Sequence, residues 1–122
     1  MGIIRKKLWV TGRKGRRCLS VLFDSGSSFS LINDRIADLI GIRDEWTEPI
    51  TCHAAVGAFT CREFIAADIK IRRHRPFGIL TIVRDLTEEV IIGADFLQRW
   101  HIKLDPFRRR VIVDPRELQL RA

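Results

Sequence analysis

The sequence predicts an all-β domain, a small closed β-structure with one or two short helices. Three observations point there. Runs rich in Ile, Val, Leu and Phe are only a few residues long and are punctuated by glycine-containing or charged turns, the spacing of short strands. Helical signatures are confined to two brief segments, 32–41 and 94–100. A strand, small-residue turn and helix around Asp24 are echoed by a strand, glycine and helix around Gly93, so two similar halves are expected to close on each other.

Residues 3–11 and 17–23 are apolar, and the intervening "GRKGRR" supplies glycines for a reversal, giving an opening hairpin whose second strand ends on Asp24. "INDRIADLIG" predicts a helix with Asn33 as N-cap, Ile36, Leu39 and Ile40 on one stripe, and Gly41 as its stop. From Pro49 to His74 two extended segments flank "AAVGAF", a small-residue tip that reads as the turn of a long hairpin. "FGILTIV", 77–83, is a strand; "VIIG", 90–93, is a short buried one; "ADFLQRW", 94–100, makes about two helical turns. "HIKL" and "VIV" pair across "DPFRRR", and the final "RELQLRA" fits an edge strand, a short helix or a tail equally well.

A chain of 122 residues, 46% of them hydrophobic, suits a single domain over 1–122, with its core at about 8–113 and an undefined tail at 114–122. Its apolar runs fall far short of the roughly 18 residues a bilayer crossing needs, and no signal-peptide core is present, so a soluble cytoplasmic protein without a membrane partner is expected. Cys18, Cys52 and Cys61 are odd in number and lack CxxC spacing, which favours buried thiols over a disulfide or zinc site. His53, His74 and His101 form no metal-ligand pair, and no metal is expected.

The net charge of +7 is concentrated in clusters at 13–17, 72–75 and 108–110. Each lies between apparent strands, where charged turns keep a small protein soluble and blunt sheet edges. Nucleic-acid binding is the lowest-ranked role, because the clusters lack an interleaved aromatic stacking face, although Trp9 and Phe107 lie near two of them.

The chemistry centres on "VLFDSGSS", a run built for burial that carries a carboxylate. Gly26 lets the backbone turn closely, its amides can point at Asp24, and the hydroxyls of Ser25 and Ser27 can hold the carboxylate in one orientation, as a general acid or base needs. Three letters alone also fit an Asx-type turn in which Asp24 caps its own backbone.

Three separated elements nevertheless occur in order: "VLFDSGSS", "HAAVGAF" and "VIIGADFL". Together they resemble the retropepsin-like aspartic proteases, the single-domain family that includes retroviral proteases and related cellular and bacterial enzymes, over roughly residues 8–113. The resemblance implies a closed acid-protease β-barrel in which Asp24 is the catalytic aspartate. It supplies only one Asp-Ser-Gly, so the second carboxylate is expected from another copy of the chain in a two-fold homodimer. Ser25 would hydrogen-bond across that dimer, Ala55, Val56, Gly57 and Ala58 would form the flap over a polypeptide substrate, and Ser28, Ile91 and Ile92 would wall the pocket.

Two close carboxylates cannot both ionise cheaply, so such a pair shares a proton, activates water and hydrolyses a peptide bond without a metal or organic cofactor. The alternative is a non-catalytic dimeric module of the same fold that binds peptide or protein. Departures from the viral pattern are also expected to matter. Ser27 stands where alanine is usual, and as a donor to Asp24 it would shift the activity optimum to lower pH. Ser28 and Ala94 replace an acid and an arginine that commonly pair, which suggests a rebuilt pocket edge.

Overall fold

The computed structural model describes residues 3–54 and 57–113. Along them run β1 (Ile3–Gly12), β2 (Arg16–Asp24), β3 (Leu31–Asn33), α1 (Asp34–Ile40), β4 (Asp44–Ala54), β5 (Gly57–Ile69), β6 (Phe77–Val83), β7 (Val90–Ile92), α2 (Ala94–Arg99), β8 (Ile102–Asp105) and β9 (Arg110–Val113). β1 to β7 form one sheet in the order β1-β2-β7-β3-β6-β5-β4, and β8 pairs with β9 separately. The end of β1 also pairs with β5, Val10 opposite Ile69, which closes six strands into a barrel. Closure leaves β4 outside the ring, joined only to the long β5. The first half of β5 therefore projects with β4 as a hairpin while its second half stays in the barrel. Register shifts between Glu45 and Ile50, around Pro49, which has no N–H to give a ladder.

The uninterrupted apolar runs of β2 and β7 follow from their position. The two strands are parallel neighbours, with Leu22 beside Ile91 and Phe23 beside Ile92, and both of their faces are covered. Successive side chains point to opposite faces. Val21, Phe23, Val90 and Ile92 thus fill the main core with residues from β5, β6 and α2. Leu22 and Ile91 face a second cluster with Leu31, Cys52, Cys61, Val83 and Leu86 at the base of the hairpin. By the same alternation Asp24 shares the face of Leu22, below the hairpin.

α1 begins where its N-cap was expected: the Asn33 side chain accepts from the N–H groups of Arg35 (2.9 Å) and Ile36 (3.3 Å), a cap worth about 1 kcal/mol. Gly41 ends it, its N–H donating to the Ala37 carbonyl. Arg43 then grips the helix, donating to both Asp38 carboxylate oxygens at 2.6 and 3.0 Å and to Glu63 on β5 at 2.9 Å. Two expectations are corrected. Leu39 is half exposed, and the buried stripe runs through Ala37 and Ile40, with Ile36 packed beside it. The residues just before the helix form strand β3, which lies between β6 and β7.

Cys18 is exposed, against the expectation of buried thiols, whereas Cys52 and Cys61 are buried. Burial, with Cys61 adjacent, pushes the Cys52 thiol up to about 12, and burial raises Cys61 as well. Both pack in the cluster at the base of the hairpin. No helix among the described residues is long and apolar enough to cross a membrane.

Candidate active site

β2 delivers Asp24 to the point where the sheet stops and the chain turns. The side chain is 1% exposed. Its Oδ1 accepts the Gly26 N–H at 2.9 Å, and its carbonyl accepts the Ser27 N–H at 3.1 Å, so the Asp-Ser-Gly turn folds back on its own aspartate. Oδ2 is buried and finds no hydrogen-bond partner among the described residues. Leaving a carboxylate oxygen dry and unpaired is costly, and an Asx-type cap accounts for only one of the two oxygens.

The pairing of β2 with β7 sets Gly93 beside Asp24, so the echo seen in the sequence is a spatial juxtaposition. A Cβ on Gly93 would lie 2.5 Å from the Ser27 carbonyl oxygen and 2.7 Å from that of Phe29. Its backbone is ordinary (φ −106°), so glycine is required for space. The loop is fastened there by Ser30, fully buried, which donates through its backbone N–H and its hydroxyl to the two Asp95 carboxylate oxygens (3.1 and 2.6 Å) and accepts the Gly93 N–H (2.9 Å). The Ala94 N–H adds a bond to the Ser27 carbonyl at 2.7 Å. Where the resemblance left Ser28 and Ala94 without an ion pair, Ser30 and Asp95 hold the loop to α2. Sequence reasoning gave neither residue that role, and the only signal was an acid in the first turn of α2.

Ser27 is also corrected. Its hydroxyl donates to the Phe29 carbonyl at 2.7 Å, not to Asp24. The expected acid shift of the optimum loses its basis. Ser27→Ala is instead expected to leave the pH–rate profile in place and to lower stability by about 1 kcal/mol through the lost bond, measured by denaturant unfolding. A displaced profile would restore Ser27 to the carboxylate.

The hairpin reaches this loop. His53 on β4 accepts at its carbonyl from the Ser28 N–H (3.0 Å) and hydroxyl (3.3 Å), and its own N–H donates back to Ser28 Oγ (3.4 Å). Ala54 pairs with Gly57 across the tip. Gly57 has φ +137°, which a side chain would disfavour, and Gly57 and Ala58 are exposed. Ala55 and Val56 lie outside the described residues. Ile92 is not a wall residue: it is fully buried in the main core, and Ile91 is buried in the cluster under the hairpin. Ser28 is exposed at the loop edge.

Ser25 takes the other side of the turn. It is exposed and lines a cavity of about 470 Å³ with Ala94, Leu97, Gln98, Ile102 and Leu104. Ser25, Gly26, Ser27 and Ser28 are therefore gathered around one buried carboxylate, with the hairpin on one side and an open, partly apolar face on the other.

Comparison with known proteins agrees with this geometry. A family model described as retroviral aspartyl protease matches residues 9–119. Among solved structures, the crystal structure of the retroviral protease-like domain of Ddi1 from Leishmania major matches with a TM-score of 0.68 at 18% identity, over 94% of this chain and 90% of that one. At that identity the likeness speaks for the fold. A search of curated proteins returns no match. A buried Asp-Ser-Gly aspartate in a closed barrel and a family match over nearly the whole chain give one conclusion: the chain belongs to the retroviral aspartyl protease family.

Proposed function

We propose that the protein is an aspartic endopeptidase that works as a homodimer, with the two Asp24 side chains facing each other across the two-fold axis. The observation that carries this reading is Asp24 Oδ2, buried and without a hydrogen-bond partner among the described residues. A second Asp24 carboxyl sharing a proton with it would satisfy that oxygen. The exposed Ser25 and the cavity beside it lie on the face where such a partner would sit.

In the dimer one Asp24 takes a proton from water while the other, protonated, hydrogen-bonds the substrate carbonyl and donates to it as the tetrahedral intermediate forms. Proton transfer to the amine nitrogen then releases the product. A substrate in extended form would add as a strand between the hairpin and the loop. The Ser28 N–H, which meets the His53 carbonyl in the free chain, would be released to it.

Digestion of a diverse peptide library at several pH values, read by mass spectrometry, tests the reading. Cleavage is expected within extended segments, with apolar side chains beside the cut, and a bell-shaped dependence on pH from the shared proton. No cleavage at any pH, at concentrations where the protein is dimeric, would leave the non-catalytic binding module in its place.

A further inference from the structure

Two of the basic clusters, far apart in sequence, meet in the fold. Arg72, Arg73 and His74, from the turn between β5 and β6, and Arg110, at the start of β9, line one cavity of about 340 Å³, together with the buried Ile71 and Val113. No acidic residue is in that lining among the described residues. Among the described residues the arginines held in ion pairs are Arg5, Arg43 and Arg75; the exposed guanidiniums of Arg72, Arg73 and Arg110 make none there, although Asp105 stands across the β8–β9 ladder from Arg110.

Both turns are tightly built. Ile71 and His74 exchange backbone hydrogen bonds of 2.9 Å in each direction, and Arg72 (φ +58°) and Arg109 (φ +55°) occupy left-handed conformations that cost a non-glycine residue energy. The third cluster is different. Its Arg16 stacks on Trp9 at 4.9 Å and its Lys14 donates to the Asp38 carbonyl at 2.8 Å, so two of its four charged side chains are engaged within the chain.

Phe107 stands at the tip of the β8–β9 hairpin, 97% exposed, in the same turn as Arg108 and Arg109. A solvated phenyl ring three residues before Arg110 brings together the two features that hold a single strand: forked donors matched to phosphate oxygens and a flat ring on which a base stacks. We propose that this arginine-lined cavity and Phe107 form a binding site for single-stranded nucleic acid, with backbone phosphates on Arg72, Arg73 and Arg110 and a base on Phe107. An acidic polypeptide would use the arginines but has no planar base for the ring. The sequence ranked this role last because the clusters lack an interleaved aromatic stacking face; the fold joins two of them in one cavity and leaves Phe107 exposed in the adjoining turn. The site does not depend on the protease reading, since it lies on β5–β6 and β9 rather than at Asp24.

Fluorescence anisotropy with a labelled single strand of about 12 nucleotides tests it. Three phosphate contacts predict a slope of about −2 for log affinity against log salt. The Arg72→Ala/Arg73→Ala/Arg110→Ala variant is expected to lose about 10-fold or more in affinity and to flatten that slope. Phe107→Ala is expected to lose about 10-fold with the slope unchanged. The control Arg13→Ala/Arg16→Ala/Arg17→Ala should stay within about 3-fold of the parent. Thermal melts check folding, and if the alanine triple is unfolded the corresponding lysine triple is read instead, with a loss of about 3-fold or more expected from the missing forks. Absence of binding at low salt, equal losses in the two alanine triples, or undiminished binding by the lysine triple would overturn the proposal. So would displacement of the strand by polyglutamate as effectively as by unlabelled strand.

Discussion

Replacing Asp24 with asparagine is expected to lower peptide cleavage by on the order of 10⁴-fold or more while leaving the domain folded. The substitution keeps the shape of the side chain, and an amide oxygen still accepts the Gly26 N–H that Asp24 Oδ1 accepts at 2.9 Å. What it removes is the proton exchange. An amide neither deprotonates water nor carries an acidic proton to the leaving group, and in a symmetric dimer both partners lose the function together. Initial rates on a cleaved peptide, with circular dichroism as the fold control, measure it. Equal turnover by both forms would take Asp24 out of the mechanism.

Gly93→Ala is expected to be the most damaging single-methyl change near the site, costing about 3 kcal/mol or more, a large part of the roughly 5–15 kcal/mol that holds a domain together. The new Cβ would press on two carbonyl oxygens, those of Ser27 and Phe29, at 2.5 and 2.7 Å. Neither is the end of a flexible side chain, so the loop itself must move. That loop carries the Asp24 turn, and its fastening through Ser30, Asp95 and the Gly93 N–H would be displaced with it. Denaturant midpoints give the stability, and cleavage rates of the surviving folded fraction are expected to fall too. An unchanged midpoint would show that the loop yields easily.

Much of the barrel was legible because its strands are apolar runs cut by glycine and charge, and because Asp24 ends such a run where no packing residue would be a carboxylate. β3 was not, since three residues are too few to show alternation and they merge with the capping pattern of α1. Leu39 was misplaced for a related reason. A helix of seven residues buries a narrow stripe: Ile36 and Ile40 of the expected three pack on the core, and Ala37 takes the place of Leu39. The hydroxyl of Ser27 was assigned by proximity in sequence, but the Phe29 carbonyl lies closer to hand once the loop folds. Ser30 and Asp95 stand 65 residues apart, and the two arginine turns meet only through the tertiary fold, so neither pairing leaves a local trace.

In the proposed dimer one active site needs two Asp24 carboxyls from two chains. Mixing wild-type protein with Asp24→Asn protein, at constant total concentration and after subunit exchange, measures that requirement. If dimers form at random and a mixed dimer lacks the shared proton, an equal mixture should retain about one quarter of the wild-type activity, because only dimers with two wild-type chains cut. Activity that stays at about one half, in simple proportion to the wild-type chains present, would mean that each chain works without a second Asp24.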